Sequence, residues 1–152
     1  MLKVGDKAPD FKVENQNGDV ISSDDLKGQA YVLFFYPKAS TPGCTAEACN
    51  LRDAKTILQE KGFKVLGVSA DSVKRQLNFW TKQNLNYDLL ADEQKQIIEA
   101  YGVWGPKKFM GKEYEGINRS TFLVANDGLI QAVIQKVKTK DHANQILELL
   151  ES

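Results

Sequence analysis

Apolar positions along the chain come in short runs whose period changes from one stretch to the next. Residues 30–36 form an unbroken apolar run, mostly aromatic, ended by Pro37, the signature of a strand buried on both faces. Thr41-Pro42-Gly43 is a helix-start signal. From Thr45 onward, Ala48, Leu51, Ala54, Ile57 and Leu58 recur at three- and four-residue spacing, and Lys61-Gly62 closes that helix. Residues 63–70 repeat the buried-strand pattern, and Asp71-Ser72 can cap a helix running to about Asn84. A short strand over 87–91 and a short helix over 93–101, stopped by Gly102, come next. Residues 105–116, rich in Lys and Gly, read as a loop. Strands over 121–125 and 129–137 are joined by Asn126-Asp127-Gly128, a strong hairpin signal, and Asp141 opens a final amphipathic helix through Ile146, Leu149 and Leu150. Ahead of the first long strand, residues 14–25 with Gly18 predict loops or a small hairpin. This order of elements predicts an α/β fold: a mixed central β-sheet flanked by helices on both faces.

Length and composition narrow the class. The chain has 152 residues, 42% hydrophobic and 26% charged, which fits one globular domain over 1–152 and excludes a disordered chain. Its 20 basic and 20 acidic residues balance, so no basic excess points to nucleic acid. The apolar run 30–36 is too short to span a bilayer. Met1-Leu2-Lys3-Val4-Gly5-Asp6 shows no secretory core, so the expected location is cytoplasmic, without membrane association. In such a compartment two cysteines close together point to reactivity rather than to a structural bridge. With one histidine beside them they fall one ligand short of a tetrahedral zinc site.

The candidate chemistry lies in the stretch from Phe35 to Cys49, with Cys44 at the expected start of a helix. A helix N-terminus carries partial positive charge and unpaired N–H groups, both of which favour a thiolate. A buried, inert cysteine is the alternative; the Thr-Pro-Gly-Cys context, which predicts partial exposure at a cap, argues against it. Acidity alone does not make a fast nucleophilic thiol. For any thiol, a pKa drop from about 8.5 to about 6 raises the thiolate fraction at pH 7 roughly thirtyfold. Lower intrinsic nucleophilicity takes back roughly tenfold of that gain. The rest has to come from donors aimed at the charge that builds on the leaving group.

The pattern Pro37, Thr41, Cys44 and Glu47 resembles the active-site motif of the peroxiredoxins. Phe35-Tyr36-Pro37-Lys38, Thr41-Pro42-Gly43-Cys44-Thr45 with Cys49, Tyr101-Gly102-Val103-Trp104-Gly105 and Arg119-Ser120-Thr121-Phe122-Leu123 resemble the bacterioferritin-comigratory, or Q-type, branch. The resemblance covers most of the chain and implies a thioredoxin-like fold, with which the element order agrees. It implies that Cys44 attacks a peroxide and becomes a sulfenic acid, that Thr41 hydrogen-bonds the peroxide or thiolate, and that Arg119 adds charge and donors. It further implies that Pro37 shields the sulfur and that Glu47 orients the arginine. Arg119 as a plain surface residue, or Arg52 as the relevant guanidinium, is the alternative. Trp80 and Trp104 read as packing residues, and His142 as a solvated residue on the last helix. No metal, haem or flavin cofactor is implied. The expected reductant is thioredoxin, with glutaredoxin or glutathione as alternatives, and the expected state is a monomer.

The resemblance also implies that Cys49 resolves the sulfenic acid as an intramolecular disulfide. Cys49 follows Cys44 by five residues, a spacing that in a continuous α-helix separates the Cα atoms by ~8.7 Å, beyond the ~4.4–6.8 Å a disulfide spans. If Cys49 resolves, the helix must first unwind. Two other classes remain: a thiol–disulfide oxidoreductase, disfavoured because Cys-x-x-Cys is absent, and a non-enzymatic redox sensor, disfavoured by Thr41 and Arg119.

Overall fold

The computed structural model describes residues 1–151. Its centre is a five-stranded sheet in the order β5-β4-β3-β8-β9. Strands β3 (Ala30–Phe35), β4 (Phe63–Ser69) and β5 (Asp88–Ala91) are parallel, while β8 (Ser120–Val124) and β9 (Ile130–Ile134) run antiparallel to their neighbours. The side chains of β3 alternate between two cores. Val32 and Phe34 pack under α1 (Pro42–Asp53), α2 (Lys55–Glu60), α3 (Val73–Lys82) and α5 (His142–Glu151), with Ala48, Leu58, Phe79 and Ile146. Tyr31, Leu33 and Phe35 face the other way, with Ile98 of α4 (Gln96–Ala100), Tyr101 and Phe122. Burial on both faces is why the strand is apolar at every position. The mixed sheet with helices on both faces is as expected, and among the described residues no helix is long and apolar enough to cross a membrane.

Three local differences from the sequence expectation have physical causes. The long helix expected to run to Lys61 breaks at Ala54 into α1 and α2. The Arg52 carbonyl, which would serve the helical ladder, accepts from Asn86 Nδ2 at 3.2 Å. The helix expected over 93–101 begins only at Gln96, because the Asp92 carboxylate accepts from the backbone N–H groups of Gln96, Ile97 and Ile98 and so defines its first turn. Residues 105–116, expected as a loop, form most of an antiparallel hairpin of β6 (Trp104–Phe109) and β7 (Lys112–Ile117). Its two-residue turn, Met110-Gly111, has both residues at positive φ, as a tight hairpin demands. The small hairpin expected near Gly18 is present as β1 (Lys12–Glu14) and β2 (Val20–Ser22).

Strand register decides what meets at the sheet's end. Phe35 pairs with Ser120, so Arg119 enters beside the C-terminal end of β3, where the chain turns toward α1. Residues 75 apart in sequence, Cys44 and Arg119, thereby reach the same place.

Candidate active site

The turn from β3 into α1 is held from below by a buried polar network. Asp71 Oδ2 accepts from the Ala39 N–H at 2.8 Å and from the Ser69 hydroxyl at 2.7 Å. Gln76 joins the network by donating to Ser69 Oγ and to the Leu90 carbonyl and by accepting from the Tyr36 hydroxyl. Ser40 is held in the left-handed region at φ 65°, a conformation non-glycine residues seldom adopt without support. Thr41 follows in extended conformation and its hydroxyl donates to the Lys38 carbonyl at 2.8 Å, closing the turn. Pro42 then begins α1, where its missing N–H has no helical partner to lose. Pro37 is half-buried just after β3.

Cys44 lies in the first turn of α1 and is 1% exposed, so the expected partial exposure at the cap is not what the fold produces. The reason is Arg119. Its Nη2 donates to Cys44 Sγ at 3.3 Å, and its Nη1 donates to Glu47 Oε1 at 2.6 Å. Glu47 is fully buried one turn after Cys44 on the same helix face. Gly43 makes room for this arrangement, since a Cβ there would stand 3.2 Å from Arg119 Nη2. Arg52 is excluded as the guanidinium of this site. It bonds Asp53 Oδ1 at 2.9 Å and the Gln83 carbonyl at 2.6 Å.

Electrostatics follow from burial. Desolvation pushes the Glu47 carboxyl up to about 7, even though the charge and hydrogen bond of Arg119 act to lower it. Burial acts to lower the Arg119 pKa, but Cys44 and Glu47 outweigh it and hold the guanidinium firmly charged. Lys107 on β6 is a second cation that sequence reasoning did not single out. Its Nζ donates to the Ile117 carbonyl at 2.8 Å, and its pKa is lowered by burial and then by Arg119, with Cys44 opposing.

His142 was expected to be solvated and is instead 0% exposed. It seats its ring between Thr121 Oγ1 at 2.7 Å and Gln145 Oε1 at 2.9 Å, with Nε2 3.6 Å from Glu47 Oε2. Trp80 and Trp104 pack against the two cores, as expected.

Cys49 is half-buried on the same continuous helix, and its Sγ donates to Gln83 Oε1 at 3.5 Å. Both cysteines are free thiols. Three side chains tie the surrounding turns of α1 down. The Tyr87 hydroxyl donates to the Ala48 carbonyl at 2.7 Å, Asn50 bonds the Ala143 N–H and the Lys140 carbonyl, and Arg52 reaches the Gln83 carbonyl.

A buried thiol at a helix start, bridged by an arginine to a buried carboxylate on a thioredoxin-like sheet, defines a thiol-dependent redox enzyme. The AhpC/TSA family model matches residues 4–133, and the chain belongs to that family, among the peroxiredoxins. It is 46% identical over 149 residues to the peroxiredoxin Bcp of Escherichia coli, covering 98% of this chain and 96% of that one. To the peroxiredoxin Bcp of Bacillus subtilis it is 43% identical over 149 residues, covering 98% and 95%. Among solved structures, a cysteine-to-serine variant of Xylella fastidiosa PrxQ superposes with TM-score 0.93 at 29% identity, covering 99% of this chain and 96% of that one. The Xanthomonas campestris bacterioferritin comigratory protein, described with its alkyl peroxide reduction activity, gives 0.86 at 35% identity over 93% and 90%. The protein is accordingly a thiol-dependent peroxidase.

Proposed function

We propose that Cys44 is the peroxide-reactive cysteine and that Arg119, held by Glu47, is the group that makes it fast. The observation that carries this reading is the guanidinium seated on Cys44 Sγ at 3.3 Å while its other nitrogen is anchored on Glu47. The Cys44 thiolate attacks one oxygen of ROOH. The S–O bond forms, the O–O bond breaks, and Cys44 leaves as the sulfenic acid with RO⁻, which takes a proton to become ROH. Negative charge moves from sulfur to the leaving oxygen, and Arg119, the first-turn N–H groups of α1 and the nearby Lys107 are placed to follow it. With its hydrogen on Lys38, the Thr41 oxygen remains an acceptor for the O–H of the incoming peroxide. Pro37, half-buried at the mouth of the turn, screens the sulfur from water.

The Cys49 thiolate then displaces hydroxide from the sulfenic sulfur, giving a Cys44–Cys49 disulfide and, with a proton, water. The unbroken α1 forbids that bond, so the helix unwinds between the two steps. A dithiol of the thioredoxin type reduces the disulfide, and the enzyme works as a cytoplasmic monomer on hydrogen peroxide and organic hydroperoxides. NADPH consumption with thioredoxin, its reductase and peroxide tests the cycle. Cys44→Ser should abolish turnover, and near wild-type turnover in that variant would overturn the assignment. Cys49→Ser should keep the first peroxide reduction but show no intramolecular disulfide by intact mass; an unchanged disulfide yield would remove Cys49 from the role.

A further inference from the structure

The anchor of Arg119 has its own support. Glu47 presents one oxygen to Arg119, while Oε2 is buried with no hydrogen-bond partner among the described residues. The group opposite that oxygen is the His142 ring at 3.6 Å. The ring cannot turn away. Gln145 Oε1 accepts from the Lys138 N–H at 2.8 Å and Gln145 Nε2 donates to the Lys136 carbonyl at 3.0 Å, which fixes the amide's orientation. His142 Nδ1, facing that oxygen at 2.9 Å, therefore carries hydrogen. In the neutral ring Nε2 is then an acceptor, and Thr121 Oγ1 at 2.7 Å donates to it. Both ring nitrogens are engaged, and the ring forms a rigid wall against Oε2.

We propose that His142 is a positioning residue of the peroxide site: its locked ring fixes the Glu47 carboxylate, and through it the Arg119 guanidinium on the Cys44 sulfur. This rests on the reading of Cys44 and Arg119 given above. A carboxylate with one oxygen on a cation and the other free to swing would let the guanidinium drift. Walled in by His142, it has one place to stand. The titratable groups facing the pair come from separate elements: Arg119 ahead of β8 and Tyr87 ahead of β5. The fold thus links the C-terminal helix to the reactive sulfur through two side chains.

A double-mutant cycle tests this with the full-length, reduced protein. The second-order rate constant for Cys44 oxidation by hydrogen peroxide is measured by stopped flow in the wild type and Arg119→Lys backgrounds, each with and without His142→Phe. The expected result is a loss of about tenfold from His142→Phe when Arg119 is present, because a sub-ångström displacement of a charge-stabilising group has effects of that order. Less than a twofold further loss is expected once Arg119 is replaced. His142→Gln, whose amide can meet both Thr121 and Glu47, should recover most of the rate. Equal losses in the two backgrounds would assign His142 a merely structural role, and no loss in either would remove it from the site; both overturn the proposal. If Arg119→Lys itself leaves the rate unchanged, the reading of the site has failed rather than the role of His142. Should His142→Phe not fold, Thr121→Val frees the ring's Nε2 and goes through the same cycle with the same expectations.

Discussion

Replacing Tyr87 with phenylalanine should speed disulfide formation without changing attack on peroxide. The Tyr87 hydroxyl is buried and donates to the Ala48 carbonyl at 2.7 Å, between the two cysteines on α1. That carbonyl lies inside the helix and keeps its helical role when the hydroxyl is gone, so the substitution removes one net hydrogen bond and leaves no orphaned acceptor. Such a bond contributes about 1 kcal/mol, within roughly 0.5–1.5. If α1 must open past Ala48 before Cys49 can reach Cys44, the contact is lost in the opened form whatever residue is present. The substitution then destabilises only the closed form. About 1 kcal/mol corresponds to roughly a fivefold larger opened fraction, and so to roughly fivefold faster disulfide formation where opening precedes bond formation. Tyr87 makes no hydrogen bond to Cys44, Arg119 or Glu47, so sulfenic acid formation keeps its rate. Rapid mixing of reduced protein with one equivalent of peroxide, quenching with a thiol-alkylating reagent and reading intact mass separates the two steps. A shorter-lived sulfenic acid should also mean less overoxidation at high peroxide. If disulfide formation stays at the wild-type rate while the urea midpoint falls, α1 does not open past Ala48 and the reasoning fails.

Three further outcomes are expected. Gly43→Ala places a methyl group 3.2 Å from Arg119 Nη2, and because Glu47 holds the other nitrogen the guanidinium moves off the sulfur; stopped-flow peroxide consumption should fall about tenfold. Glu47, pushed up to about 7 by burial, favours the folded protein by an amount fully present below the ordinary carboxyl range and lost as pH rises through about 7. The stability advantage of the reduced wild type over Glu47→Gln should therefore shrink between pH 5 and pH 8 in urea titrations, and a growing advantage would refute the assignment. Asp71→Ala leaves the buried Ala39 N–H and Ser69 hydroxyl without their acceptor, at a cost of about 1–3 kcal/mol each. Urea denaturation should show the loss, together with slower peroxide reduction as the turn holding Ser40 and Thr41 loosens.

Legibility in the sequence followed the range of the interactions. The strand of residues 30–36 and the Ser72 cap of α3 were readable because burial on two faces and capping leave local marks. The β6–β7 hairpin was not. Its Lys, Glu and Gly residues stand mostly exposed, so no apolar alternation records the strands, and its turn uses Met110 at φ 52° where glycine or asparagine would have signalled it. Within the site, the motif from Pro37 to Glu47 was local and visible. The choice of Arg119 over Arg52 was not a matter of spacing; it depended on the pairing of Phe35 with Ser120. His142 could not be placed from its neighbours, because what removes it from water is Thr121 on another element and the carboxylate of Glu47 on a third.

In the proposed cycle, the position of Glu47 ties the two halves together. Cys44, Glu47 and Cys49 share α1, while Arg119 and His142 stand on β8's entry and on α5, outside any segment that has to unwind. If α1 opens for the proposed disulfide, Glu47 is carried away from both partners at once. Arg119 loses its anchor in the same motion that withdraws the sulfur from it, so a form able to make the disulfide is not assembled to attack peroxide. The buried carboxyl also returns to water, where its ordinary acidity applies, and between the ordinary carboxyl range and about pH 7 the opening releases a proton. Opening is then favoured as pH rises toward 7, over and above the rise that any thiol nucleophile shows, whereas the contacts of Tyr87 and Asn50 oppose opening at every pH. Disulfide formation should therefore rise less steeply between pH 5 and 7 in the Glu47→Gln variant than in the wild type; a rise of unchanged steepness would place the titrating group elsewhere and separate the anchoring of Arg119 from the unwinding of α1.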